Sequence, residues 1–136
     1  MLVRNSFSLV VPIQNVAADL FYDRLFVIAP ELRSLFPEDL SEQKRKLVSM
    51  LGTGVAKLHD LSTLGPVLKN LGARHTSYGT TTEHYAVVGE ALLWTLQKGL
   101  GHAFTPEIRT AWTKVYALIA STMQAGAAEA AEIRAA

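Results

Sequence analysis

The stretch Leu71-Gly-Ala-Arg-His75-Thr-Ser-Tyr78-Gly79, with His84-Tyr85-Ala-Val-Val88-Gly89-Glu90-Ala-Leu92-Leu93 after it, decides how this chain is read. Val67, Leu68, Leu71 and His75 recur at helical steps, so the histidine continues an apolar stripe near a helix end. Ser62 or Thr63 can cap that helix, with Pro66 tolerated in its first turn. Gly79 and the threonines Thr80, Thr81 and Thr82 mark a turn, after which Tyr85 to Leu100 reads as helix, closed by Gly99 and Gly101. Thr105-Pro106-Glu107 then supplies an N-cap, a first-turn proline and an acid that complements the helix dipole. The spacing predicts a last helix from Pro106 to about Gln124, with an alanine-rich tail that extends it or frays.

Upstream, Val16, Leu20, Phe21, Leu25 and Phe26 recur at turn-spaced steps and predict one amphipathic helix. Pro30 breaks that pattern and opens a short element through Leu32, Leu35 and Phe36, which Pro37 stops. From about Glu38 to Leu58 a second long stripe follows: Leu40, Leu47, Met50, Leu51, Gly54, Val55 and Leu58, opposed by Ser41, Glu42, Lys44, Arg45 and Ser49. The Phe7 to Ile13 run is the nearest thing to a strand, but it enters a helical segment without a glycine and is read as helix, with Pro12 disturbing it. There are no internal repeats, low-complexity linkers or glycine-rich phosphate loops. The expectation is one all-α domain over residues 1–136, of six to eight helices.

Charge and composition narrow the function classes. Lys plus Arg is 13 and Asp plus Glu is 12, a formal charge of +1 without long blocks of either sign, so nothing favours nucleic acid as a partner. Cysteine is absent, which removes disulfides, iron–sulfur clusters and thiolate zinc sites and is compatible with a reducing compartment; cytoplasm is the expected location. The N-terminal Met1–Pro12 segment has no plausible small-residue cleavage site and is not read as a signal peptide. Although 49% of residues are hydrophobic, no uninterrupted apolar run approaches the roughly 20 residues of a membrane span, and no membrane partner is expected. That apolar content belongs in a core or around a ligand.

The histidines are His59, His75, His84 and His102. No two stand at the spacing of a zinc-binding HExxH helix, and no Gly-x-Ser-x-Gly elbow exists for a serine hydrolase. What remains is single-histidine chemistry, and His75 alone leaves ligand and packed or solvated residue both open. Its company is more specific. The 71–93 stretch strongly resembles the proximal segment of globins, particularly bacterial single-domain haemoglobins, the globin domain of flavohaemoglobins, and neuroglobin. Leu100-Gly-His-Ala-Phe104-Thr-Pro-Glu-Ile-Arg-Thr-Ala-Trp112-Thr-Lys-Val-Tyr116 continues the match. Upstream, Leu20-Phe-Tyr22-Asp-Arg-Leu-Phe26 with Pro30-Glu-Leu-Arg-Ser-Leu-Phe36 resembles the family's second and third helices, and Ser41-Glu-Gln43-Lys-Arg-Lys-Leu47 its distal helix. The resemblance covers nearly the whole chain, the first dozen residues least.

The resemblance implies a globin fold around a haem pocket holding haem b, iron protoporphyrin IX. His75 matches the proximal iron ligand, its other ring nitrogen donating to a backbone or side-chain acceptor. Phe36 matches the aromatic wedged against the porphyrin; Tyr22 and Gln43 match the distal pair, with Leu47 one turn on as the pocket roof. Lys46 and Arg74 would flank the haem edges near the propionates, and Leu71, Tyr78, Tyr85 and Val88 would contact the haem. Trp94, Trp112 and Tyr116 are expected to pack helices. In the related bacterial haemoglobins a glutamate on the last helix joins the proximal tyrosine; here Ala127 stands at that place, and Glu129 is rotated by about 200°.

The function implied is reversible binding of dioxygen, carbon monoxide or nitric oxide, with a hydroxyl and an amide stabilising the partial negative charge on bound dioxygen. The enzymatic alternative is nitric oxide dioxygenase or peroxidase working with a separate reductase, since no flavin or nicotinamide fingerprint is present. A gas or redox sensor and a haem-free globin-fold module are the further alternatives, and the expected assembly is a monomer or homodimer.

Overall fold

A computed structural model describes residues 2–58, 60–77 and 81–135. It contains α1 (Leu2–Val10), α2 (Gln14–Ile28), α3 (Ser41–Ala56), α4 (Leu61–Ser77), α5 (Thr82–Leu100) and α6 (Pro106–Ala135). Short 3-10 turns occupy Val11–Ile13, Pro30–Leu35 and Gly101–Ala103. Among the described residues there is no strand, as the missing alternation predicts.

The N-terminal run is helical, and Pro12 tightens its end into the 3-10 turn that leads directly into α2. Ser6 and Trp112 tie α1 to α6: the indole Nε1 donates to the Ser6 hydroxyl at 2.8 Å, and both residues are 1% exposed. The buried face of α2 is Ala17, Ala18, Phe21, Tyr22 and Leu25, and α2 packs most extensively on α5. Val16, expected on that face, is 56% exposed, because the close approach is made by the small side chains of Ala17 and Ala18 one step round the helix. The segment opened by Pro30 is a 3-10 turn. Arg33 staples its exit, donating to the carbonyls of Pro37 at 2.9 Å and Glu38 at 2.8 Å. Asp39 then accepts from the Ser41 main-chain N–H at 3.0 Å and from its hydroxyl at 2.7 Å, opening α3; the first of these bonds chiefly lowers the Asp39 pKa.

Helix α4 begins earlier than its sequence suggests. Its N-terminus is capped by Asp60, whose carboxylate accepts from the Ser62 hydroxyl at 2.6 Å, the Thr63 hydroxyl at 2.7 Å and the Thr63 N–H at 3.4 Å, so Ser62 and Thr63 are already helical. Pro66 thus lies in the second turn rather than the first. The inward stripe is Leu64, Leu68, Leu71 and His75; Val67 faces out, 41% exposed. Thr81 caps α5, with Thr82 inside the helix, and Gly101 ends it at φ 56°. Thr105 caps α6 as expected, accepting from the Ile108 N–H at 3.3 Å.

Two hydrophobic clusters result. The main core gathers Val3, Phe21, Tyr22, Leu25, Leu32, Val55, Leu92, Leu96 and Trp112 from α1, α2, the Pro30–Leu35 turn, α3, α5 and α6. A smaller one is built on Leu64, Leu68 and Met123 where α4 lies on α6, with Leu71, Tyr85 and Ile119 against it. Leu58 touches both. Helix α3 packs on α1 and α2, whereas α4 packs chiefly on α6, so these consecutive helices have different partners. None of the helices, among the described residues, is long and apolar enough to cross a membrane.

Candidate functional site

Tyr22 sits at the centre of an aromatic group. Its ring meets Phe21 edge-on at 5.0 Å and Phe36 edge-on at 5.7 Å, and Phe36 meets Phe26 at 5.6 Å. Such contacts hold a ring in one orientation. Tyr22 is 5% exposed, and its hydroxyl donates to the main-chain carbonyl of Gln43 at 3.4 Å. Burial pushes the Tyr22 pKa up to about 12, so the hydroxyl remains a donor well into the alkaline range. Lys44 pairs with Asp19 at 2.8 Å and adds a second link between α2 and the start of α3. The structure thus brings Tyr22, Gln43 and Phe36 together, through the main chain of Gln43 rather than its amide.

His75, half-buried in the last turns of α4, places Nδ1 2.8 Å from the Leu71 carbonyl oxygen. A carbonyl only accepts, so Nδ1 carries the hydrogen, and in the neutral imidazole this tautomer leaves Nε2 as the nitrogen with the lone pair. Tyr85 on α5 packs against the cluster under this helix, and its buried hydroxyl has no hydrogen-bond partner among the described residues. Burial raises the Tyr85 pKa. The main-chain carbonyl of Tyr85 accepts from the Tyr116 hydroxyl at 2.5 Å, and Tyr116 is likewise raised, chiefly by burial. Glu129 turns to Lys69, 2.9 Å away, consistent with its expected position off the Tyr85 side.

Leu71 and Tyr85 thus belong to the smaller cluster, and Tyr22, Phe36, Leu47 and Val88 to the main core or its border. Leu47 also lines a cavity of about 30 Å³ with Phe7, Ala18, Phe21, Leu51 and Trp112. Lys46 and Arg74 are exposed, on α3 and α4. Tyr78 and His59 lie outside the described residues. His84 accepts from the Thr81 N–H at 3.1 Å and completes the cap of α5. An open cavity of about 550 Å³ at the end of α5 is lined by Trp94, Gln97, Lys98, Gly101 and His102, none of them a predicted site residue. Trp112 and Tyr116 pack helices as expected, while Trp94 is half-buried under the Arg24 and Lys98 cations, at 5.1 and 5.6 Å from its ring.

Sequence reasoning did not find the Leu71 carbonyl in its part as the imidazole's acceptor. The i to i−4 step from His75 to Leu71 on a helix was the available signal. Among the described residues no three His, Asp or Glu side chains converge on a metal site, so a metal held here by one histidine would need its remaining ligands from a cofactor.

Comparison with known proteins finds similarity over most of the chain. The family model described as Globin matches residues 19–123. Neuroglobin from Danio rerio is 38% identical over 125 residues, covering 82% of this chain and 79% of that protein. The flavohemoprotein of Bacillus subtilis is 38% identical over 103 residues, covering 74% of this chain but 26% of that longer protein. An engineered carbene transferase assigned as a nitric oxide dioxygenase from Rhodothermus marinus superposes with a TM-score of 0.87 at 27% identity, covering 99% of this chain and 94% of that one.

Proposed function

The chain belongs to the globin family, and on that premise we propose that it holds haem b through His75 and reversibly binds dioxygen and other diatomic gases beside Tyr22 and Gln43. When bound, haem supplies a ferrous iron with a coordination position open to such a gas. The observation that carries the reading is the hydrogen bond between His75 Nδ1 and the Leu71 carbonyl at 2.8 Å. It selects the tautomer whose Nε2 can ligate iron and orients the ring.

In this reading a flat, largely apolar group would lie between the two hydrophobic clusters. Phe36, Leu71, Tyr85 and Val88 would hold its faces, and Lys46 and Arg74 would meet its carboxylates at the exposed edge. Tyr22 is protonated at neutral pH, as any ordinary tyrosine is, and offers an O–H donor; burial only raises its pKa further. Its 3.4 Å bond to a neutral carbonyl is long, so an acceptor with partial negative charge competes well for the same hydrogen. Leu47, on the Gln43 face of α3, excludes water from that side. The absence of cysteine suits a reducing compartment, and the cytoplasm is the proposed location.

Similarity to a flavohemoprotein and to a protein assigned as a nitric oxide dioxygenase favours a second reading, oxidation of nitric oxide to nitrate or a peroxidase activity. Continued turnover then needs an electron at each cycle, for which a separate reductase is the proposed partner. Adding a competent reductase should raise multiple turnover and leave the single-turnover reaction unchanged.

The primary test is optical. Protein reconstituted with haemin should give distinct ferric, ferrous and oxygenated spectra, and His75→Ala should lose stable haem binding. Failure to take up haemin, or an unchanged ferrous spectrum in His75→Ala, overturns the assignment.

A further inference from the structure

Helices α4 and α6 meet backbone to backbone. A Cβ added at Gly72 would overlap the main-chain carbonyl of Met123, and one added at Gly126 would overlap the main-chain carbonyl of Lys69. Both glycines are buried. The separation of the two helices is therefore set by main-chain atoms, and no rotamer change can make room for even a methyl group. Gly54 on α3 is the contrast, for a Cβ there would meet nothing within 4 Å.

This crossing lies next to the imidazole. Gly72 follows Leu71, so the peptide unit whose carbonyl accepts from His75 Nδ1 ends at the Cα that rests on α6. An ion pair between side chains of these helices, Lys69 to Glu129 at 2.9 Å, is exposed on both sides and contributes little. Taking His75 as the iron ligand, we propose that Gly72 and Gly126 are positioning residues that set where its imidazole stands. The main-chain crossing fixes the height and rotation of α4 on α6, the Leu71 carbonyl transmits that placement to Nδ1, and Nε2 follows.

The experiment uses the haem-loaded protein and reads the iron–imidazole stretching band of the ferrous form by resonance Raman spectroscopy. Gly126→Ala should shift the band and speed haem loss by about tenfold, as forced separation of packed helices would. Gly54→Ala, the same chemical change in open space, should leave the band at its wild-type position. Lys69→Ala, which removes the ion pair and leaves the crossing untouched, should do so too. A wild-type band in haem-loaded Gly126→Ala overturns the proposal. Should Gly126→Ala not hold haem, Lys69→Ala carries the decision: an unmoved band upholds the main-chain crossing as the determinant, and a shifted band overturns it. Absence of an iron–imidazole band in the wild-type protein is a different result, and it would remove His75 as the ligand.

Discussion

The Tyr22 hydroxyl donates to the main-chain carbonyl of Gln43 at 3.4 Å, joining the middle of α2 to the first turn of α3. Because the acceptor is main chain, Gln43→Leu keeps this link and removes the amide alone, whereas Tyr22→Phe removes the link and the donor. Each variant should speed dioxygen release about tenfold or more while changing carbon monoxide release less, since a hydrogen bond to a charged acceptor is worth about 1.5–3 kcal/mol. Stopped-flow and flash-photolysis rates decide it. Unaltered dioxygen release in both variants would show that these groups do not face the ligand.

Alkali should weaken the fold through the same tyrosine. Burial raises its pKa from 10.0 to about 12, so the unfolded chain gives up the proton first. The contribution is fully present below pH 10 and is lost as pH rises towards about 12, a fall on the order of 2–3 kcal/mol. Urea titrations on either side of this window should show a smaller alkaline loss in Tyr22→Phe than in the wild type. An equal loss in both proteins would mean that Tyr22 is not the group responsible.

Ser6→Ala should destabilise the protein by about 1–3 kcal/mol, because it leaves the Trp112 indole N–H buried without its acceptor. The two residues lie on α1 and α6, away from His75, so the haem spectrum should not change. Chemical denaturation monitored by tryptophan fluorescence measures the first expectation and absorbance the second. A variant as stable as the wild type contradicts the pin between these helices.

The Tyr85 hydroxyl has no hydrogen-bond partner among the described residues. Ala127 lies one helical turn beyond Met123, a member of the small cluster against which Tyr85 packs, and the resemblance to bacterial haemoglobins implies an acid at this position. Ala127→Glu should give the Tyr85 hydroxyl an acceptor and make the His75 side more electron-rich, lowering the iron reduction potential and raising the peroxidase rate. Spectroelectrochemistry and a peroxidase assay test it together. No change in either quantity removes the argument that the missing acid biases this protein towards ligand binding.

Much of the helix layout was legible because its signals are local. Pro30, Pro37 and Pro106 restrict their own dihedrals and those of their neighbours, and the stripes along α3 and α5 repeat within one element. Two local readings still went astray. Asp60 competes with Ser62 and Thr63 for the cap of α4, and all three are good capping residues, so composition cannot choose among them. Val16 and Val67 look like members of apolar stripes, yet they face outwards because neighbouring helices approach on the sides of Ala17 and Ala18 and of Leu64 and Leu68.

By itself the sequence determined an all-helical chain of globin type, with His75 on the inward stripe of one helix and Tyr22 on another, since helix period and terminus chemistry act over a few residues. Only the tertiary structure decided that Tyr22 bonds the main chain of Gln43, that the Tyr85 hydroxyl has no partner among the described residues, and that Gly72 meets the main chain of Met123 and Gly126 that of Lys69. Each of these depends on how far apart two helices lie and how they are rotated. That geometry is set by the summed packing of many side chains across the interface, and the residues on one helix alone do not encode it.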